Sequence, residues 1–230
     1  WTGSLNLTDD AFTLQENNVV RLASPQISAY FRRNFEEMWR EEDFERSGSF
    51  DTEPATLTYK DTPVRTRLLF SPGRGPAIDF EVAYRVARAR RRVRICSMLL
   101  NSGALLAALI DLLTEGSVEV DGVYDATQME GVLQQWEQVP HNHWKIGVVE
   151  DIVDTAHLVG KRSTPYRPDA PHDFMHNKIL VVDDLVITGS YNFSHSAELN
   201  AENILLLENE ALAADYSQYI EGLMRRYGER

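Results

Sequence analysis

Five side chains that can do chemistry fall close together near the end of the chain. His176 and Lys178 lie in "MHNKILVVDD", Asp183 closes that run, and Ser190 and Asn192 follow in "ITGSYNFSHS". Two residues apart on an extended run, His176 and Lys178 leave the same face of a sheet, whereas Asp183 has the other parity and points away. Ser190 and Asn192 repeat that spacing on a returning strand. An imidazole, an ammonium, a hydroxyl and an amide then converge on one spot. This set suits a phosphoryl group: it supplies donors for the oxygens, and a ring nitrogen able to attack phosphorus or protonate a leaving oxygen.

The elements that must position these groups are readable in outline. "MHNKILVV" and "LVITGSYN" form two strands of a hairpin that turns at Asp183-Asp184. Upstream come strand "VRTRLLF", loop "SPGRGP", helix "AIDFEVAYRVARARR", strand "RVRICSMLL", helix "SGALLAALIDLLTEG" and strand "SVEVDGVYD", then a polar stretch from about Val139 to Asp173. Alternating strands and helices imply an α/β fold with a sheet covered by helices.

The chain also repeats itself. Thr2–Asn17 laid over Thr188–Asn203 gives seven identities in sixteen positions: Thr2/Thr188, Gly3/Gly189, Ser4/Ser190, Asn6/Asn192, Ala11/Ala197, Glu16/Glu202 and Asn17/Asn203. Each copy runs on into a short apolar segment and an amphipathic helix. The first helix aligns Ile27, Phe31, Phe35 and Met38 on one face as its core stripe; the second aligns Leu212, Tyr216, Ile220 and Met224. The second copy has a long lead-in and the first has none. The expected organisation is therefore the C-terminal remnant of a first unit (1–46), a polar linker (47–63) and a complete second unit (64–230), in a chain that reads as a fragment.

"HNKILVVD" fits the H-x-K-x4-D motif of the phospholipase D superfamily, "GSYN" fits the G-S-x-N that follows it, and "TGSLNLT" is similar to the tail of the same motif. The resemblance covers essentially the whole chain. It implies duplicated units with mixed sheets covered by helices, related by a pseudo-twofold axis, with the active site between them. It also implies metal-independent phosphodiester hydrolysis without a cofactor: one histidine attacks phosphorus, the other protonates the leaving alcohol, and water releases the product. Carried across, Lys178 and Asn192 hold phosphate oxygens with Ser190 assisting, and Glu202 accepts a hydrogen bond from His176 Nδ1. Asp183 is structural, and His176 is assigned as the general acid. Asn6 and Ser4 complete the phosphate ring, and Glu16 orients a histidine outside this chain. That first His, Lys and Asp are expected from a separate polypeptide or from a partner copy across a twofold axis; without them little turnover is expected.

Other features read more plainly. His195 is a rim residue, "HNHWK" (141–145) a loop, and His157 and His172 surface or loop positions, the latter a candidate for the cleft mouth. Cys96, the only cysteine, is a buried structural thiol and allows no intrachain disulfide. The basic run "RVARARRRVR" (85–94) is a solvated helix end or, alternatively, a phosphate-tracking patch.

A net charge of −12, a pI near 4.9 and a mean hydropathy of −0.34 argue against a surface built for non-specific polyanion binding and against stable membrane insertion. The substrate reading leads with a nuclease-like phosphodiesterase. A phospholipase D or phosphatidyltransferase acting on phospholipids is the alternative, and a non-catalytic half-enzyme or binding module is the reading from another class.

Overall fold

The computed structural model of the chain describes residues 1–228; residues 229–230, the end of the expected second unit, lie outside the described residues. In chain order the elements are β1 (Thr2–Gly3), α1 (Asp9–Thr13), β2 (Val19–Val20), α2 (Pro25–Glu41), β3 (Ala55–Tyr59), β4 (Thr62–Phe70), α3 (Gly75–Ala87), β5 (Arg92–Ser97), α4 (Gly103–Glu115), β6 (Glu119–Asp125) and α5 (Ala126–Glu137). A 3-10 turn at Pro140–Asn142 leads to α6 (His143–Thr155), β7 (His157–Lys161), β8 (Lys178–Val182), β9 (Leu185–Gly189), α7 (His195–Leu199), β10 (Asn203–Glu208) and α8 (Glu210–Gly228).

Eight strands form one mixed sheet in the order β3-β4-β10-β9-β8-β5-β6-β7. β5, β6 and β7 run parallel to one another, and every other pairing is antiparallel. β8 and β9 sit in the middle, and every residue of both is buried. This explains why "ILVV" and "LVIT" are unbroken apolar runs rather than alternating ones. One face of the sheet packs against α3–α6 through Ile78, Leu105, Leu109 and Ile152, and the other against α2 and α8 through Ile27, Ile220 and Leu223. Side-chain caps start the helices where the sequence offers them: Ser24 accepts from Ile27 N before Pro25, and Ser102 from Leu105 N.

Three expectations change. The segment expected as a linker contributes β3, an edge strand whose Thr56 and Thr58 face solvent while Ala55 is buried. The polar stretch from about Val139 to Asp173, to which the sequence assigns no element, holds α6 and β7. "HNHWK" is likewise not a loop, since His143 opens α6. Val149 and Ile152 carry the buried face of that helix, but β-branched residues and acidic neighbours dilute its period. The core stripe of α2 is only half realised. Ile27 is buried, whereas Phe35 and Trp39 are exposed and stack on each other with centroids 5.7 Å apart.

Candidate active site

His176 stands at the mouth of the central hairpin, on backbone held by the first copy of the repeat. Glu16 N donates to Phe174 O and His176 N donates to Glu16 O, both at 3.0 Å, a parallel bridge that keeps residues 174–176 extended. Extension sends His176 and Lys178 to one face and Asn177 to the other, where Asn177 Nδ2 donates to Tyr219 Oη at 3.0 Å. The His176 ring is half-buried. Its Nδ1 lies 2.9 Å from Ser4 O and 3.1 Å from Asn17 Oδ1. Lys178 is 2% exposed and donates from Nζ to His176 O at 2.7 Å.

The two copies of the repeat face each other with near-exact reciprocity. β1 pairs with β2 as β9 pairs with β10, and Gly3 and Gly189 occupy matching places with φ of +150° and +155°. A Cβ on Gly3 would stand 2.1 Å from Asn18 O, and one on Gly189 2.2 Å from Asn203 O, so both positions need glycine. Ser4 Oγ accepts from Asn18 N and Ser190 Oγ from Asn203 N, each at 3.0 Å. Asn18 Nδ2 donates to Thr188 Oγ1 at 2.9 Å, while Thr2 Oγ1 donates to Asn203 Oδ1 at 2.6 Å, so each asparagine is tied to the threonine of the other copy.

This pairing corrects the alignment of the repeat by one residue. Asn18 matches Asn203, and Asn17 therefore matches Glu202; the first copy has an extra residue between its short helix α1 and β2. Glu16 is displaced from the site. Its Oε1 accepts from Arg226 Nη1 at 2.7 Å and from Tyr227 Oη at 2.6 Å. The expected bond between Glu202 and His176 Nδ1 is not made either, because Asn17 and the Ser4 carbonyl take that nitrogen. Glu202 instead feels the Ser190 hydroxyl and the Lys178 charge, both of which favour its ionised form.

Asn192 is half-buried, and its Oδ1 has no hydrogen-bond partner among the described residues. Asn6 is exposed on the facing loop. Asp183 lies at the far end of β8. Its carboxylate accepts from the backbone N–H groups of Arg90, Arg91 and Arg92 at 2.9, 2.9 and 3.2 Å, which gives it a structural place at the turn, away from His176.

Burial dominates the electrostatics of the site. It pushes His176 down to about 4, with the Lys178 ammonium adding to the effect and the Ser4 carbonyl opposing it. Lys178 is likewise pushed down to about 7 by burial, against the attraction of Glu202. Glu202 is raised by burial despite its hydrogen bonds and Lys178.

Three of the five other histidines bond elsewhere: His143 Nε2 with Glu137 O, His172 Nε2 with Arg167 O, and His195 Nδ1 with Glu198 Oε1. Among the described residues, no group of three or more His, Cys, Asp or Glu could hold a metal ion. No helix among them is long and apolar enough to cross a membrane.

Three of the six arginines of the basic run form ion pairs among the described residues. Arg85 meets Glu81, Arg91 meets Asp184, and the buried Arg94 lies between Asp121 and Glu221. Its C-terminal part adjoins the Asp183 turn, away from His176. What the sequence reading missed lies on the other side: Tyr166, His172 and Phe174 stack in series, with centroids 5.2 and 5.1 Å apart at interplanar angles of 24° and 19°. The ledge starts two residues before His176 and ends at Tyr166, which is 66% exposed.

Comparison with known proteins agrees with this fold. Residues 83–224 match the family described as "Cardiolipin synthase, PLD-like domain". A phospholipase D of Rickettsia bellii is 25% identical over 139 residues, 60% of this chain and 59% of that protein, so the match spans less than two thirds of the relative. Among solved structures, the phospholipase D family member Nuc from Salmonella typhimurium superposes with a TM-score of 0.51 at 20% identity, covering 69% of this chain and 93% of that one. The phosphatidylserine synthase of Haemophilus influenzae gives a TM-score of 0.52 at 15% identity, over 91% of this chain and 47% of that one. Identities this low speak for the fold. With the family match covering more than half of its length, the chain belongs to the phospholipase D-like family of phosphodiesterases.

Proposed function

We propose that this protein hydrolyses phosphodiesters through a phosphohistidine intermediate, with no metal in the reaction. The observation that carries this reading is His176 itself. Its Nδ1 is tied to Ser4 and Asn17, which leaves Nε2 as the ring nitrogen available to substrate beside a buried ammonium. Lys178, Asn192 and Asn6 take the phosphate oxygens, and Ser190 and Ser4 hold the loops that present them. The second imidazole comes from outside the described residues, either a preceding segment or another copy of the chain.

The substrate class favoured is nucleic acid. The ring ledge running from Phe174 to Tyr166 suits stacking of unpaired bases next to the scissile phosphate. A second reading, a phospholipid substrate, draws on Leu7, Phe12, Leu14 and Leu199. All four are exposed, on the loops and short helices that follow Asn6 and Asn192.

The test assays the chain, alone and extended by its natural upstream sequence, on a simple phosphodiester, single- and double-stranded DNA and phosphatidylcholine, each in EDTA. Turnover of single-stranded DNA that survives EDTA and disappears in His176→Ala is the expected result. Full activity in His176→Ala, or loss of all activity in EDTA, would contradict the mechanism. Turnover of none of these by the extended protein would favour a binding module.

A further inference from the structure

Helix α3 carries two stripes at the same spacing. Ile78, Val82 and Val86, four residues apart, are buried against the sheet. Phe80, Tyr84 and Arg88 repeat that spacing on the side that faces water. Core packing accounts for the first stripe but not for the second, since Phe80 is 68% exposed and Tyr84 45%. Their rings lie nearly parallel, with centroids 6.2 Å apart at an interplanar angle of 20°, and the Arg88 guanidinium sits 5.4 Å from the centre of the Tyr84 ring. This ladder ends at a hollow of about 490 Å³ beside the turn of the β8–β9 hairpin, lined in part by Tyr84, Arg85, Arg88 and Arg90. The carboxylates there are already engaged: Asp183 accepts three backbone N–H groups, Asp184 meets Arg91 at 2.7 Å, and Glu208 lies 3.9 Å from Arg65. Arg85 is taken by Glu81 at 2.8 Å. Arg88 and Arg90 are exposed and make no ion pair among the described residues. The five residues of β8, about 17 Å of strand, separate this turn from the His176 end of the hairpin.

We propose that this face of α3 is a second binding site, remote from His176, for single-stranded nucleic acid: unpaired bases stack on Phe80 and Tyr84, and Arg88 and Arg90 hold the phosphates beside them. Aromatic rings offer a face to any base, and a guanidinium presents forked N–H donors that match phosphate oxygens. The contact of Arg88 with the Tyr84 ring puts it at the border between the ladder and the hollow, where a base meets its own phosphate. Two free cations on a chain of net charge −12 attract a polyanion only weakly, so stacking carries more of the affinity than charge does. A duplex keeps its bases paired and stacked on one another, out of reach of the rings. An acidic peptide would use the arginines and leave both exposed rings without a role. The site holds a strand and cleaves nothing, so it stands apart from the chemistry at His176.

The test follows binding of a short fluorescent oligothymidylate by anisotropy. It is done on the chain carrying Tyr166→Ala and His176→Ala, which removes the ledge beside the catalytic histidine and any cleavage there. Adding Phe80→Ala or Tyr84→Ala is expected to weaken binding at least about fivefold each. Replacing Arg88 and Arg90 together by alanine is expected to lower the log–log salt slope by about 1.4 in magnitude, roughly 0.7 for each cation. An abasic oligomer of the same length, and poly-glutamate, are expected to compete at least about fivefold more weakly than oligothymidylate. Binding unchanged in both aromatic variants, or a salt slope unchanged without the two arginines, would overturn the proposal. Equal competition by the abasic oligomer would reduce the site to a charge patch, and equal competition by poly-glutamate would make it a dock for an acidic protein; either result overturns it. Phe80→Trp keeps a ring and is expected to bind as the parent does, so a loss in that variant as large as in Phe80→Ala would also contradict stacking.

Discussion

Buried Lys178 and half-buried Glu202 carry opposite charges near one another, and burial works against both. Such pairs are kept for chemistry more than for stability, because desolvation offsets their attraction. Lys178→Met with Glu202→Gln is therefore expected to make the fold more resistant to urea by about 1–4 kcal/mol while abolishing turnover; a less stable double variant would contradict this. His176 gives a pH signature of its own. Its folded value of about 4 lies below the ordinary 6.5, so the unfolded chain takes up that proton first as pH falls. Its contribution to stability is complete above about pH 6.5 and declines through pH 4, by about 3 kcal/mol in all. Urea midpoints measured across that window should fall less steeply in His176→Gln than in the wild type.

The hairpin of β8 and β9 shows how one element serves the site from a distance. Asp183 sits at its turn with φ of +53° and accepts three backbone N–H groups from the start of β5. Asp183→Ala is expected to cost about 1–3 kcal/mol in urea unfolding, with turnover per folded molecule unchanged; a selective loss of turnover would place Asp183 in the chemistry. This hairpin was legible in the sequence because its strands are unbroken apolar runs joined by a two-residue acidic turn. α5, α6, β3 and β7 were not. Their apolar residues are few, β-branched or shared with charged neighbours, and β3 owes its place to pairing with β4. The two copies of the repeat were visible by identity, but their true register was not. Glu16 matches Glu202 in type, and only the strand pairing reveals the extra residue that puts Asn17 in its place.

Across the whole molecule, acidic charge dominates, and the basic run, half of it ion-paired, adjoins the Asp183 turn rather than His176. Lys178 is the buried cation beside His176. If nucleic acid is the substrate, binding should therefore depend weakly on salt, with a log–log slope smaller in magnitude than about 2. A steep slope would point to a basic track elsewhere on the protein. The proposed mechanism also makes a sharper experiment possible. A diester with two nitrophenolate leaving groups needs no acid to release the first, so the attacking histidine alone suffices for one turnover. The most direct test of His176 as the nucleophile is to mix this chain with bis(p-nitrophenyl) phosphate in EDTA and follow nitrophenolate release together with intact mass. About one equivalent released per chain is expected, with an acid-labile phosphoryl adduct on His176 that is absent in His176→Ala. Release without an adduct on His176, or the same burst in His176→Ala, would contradict it.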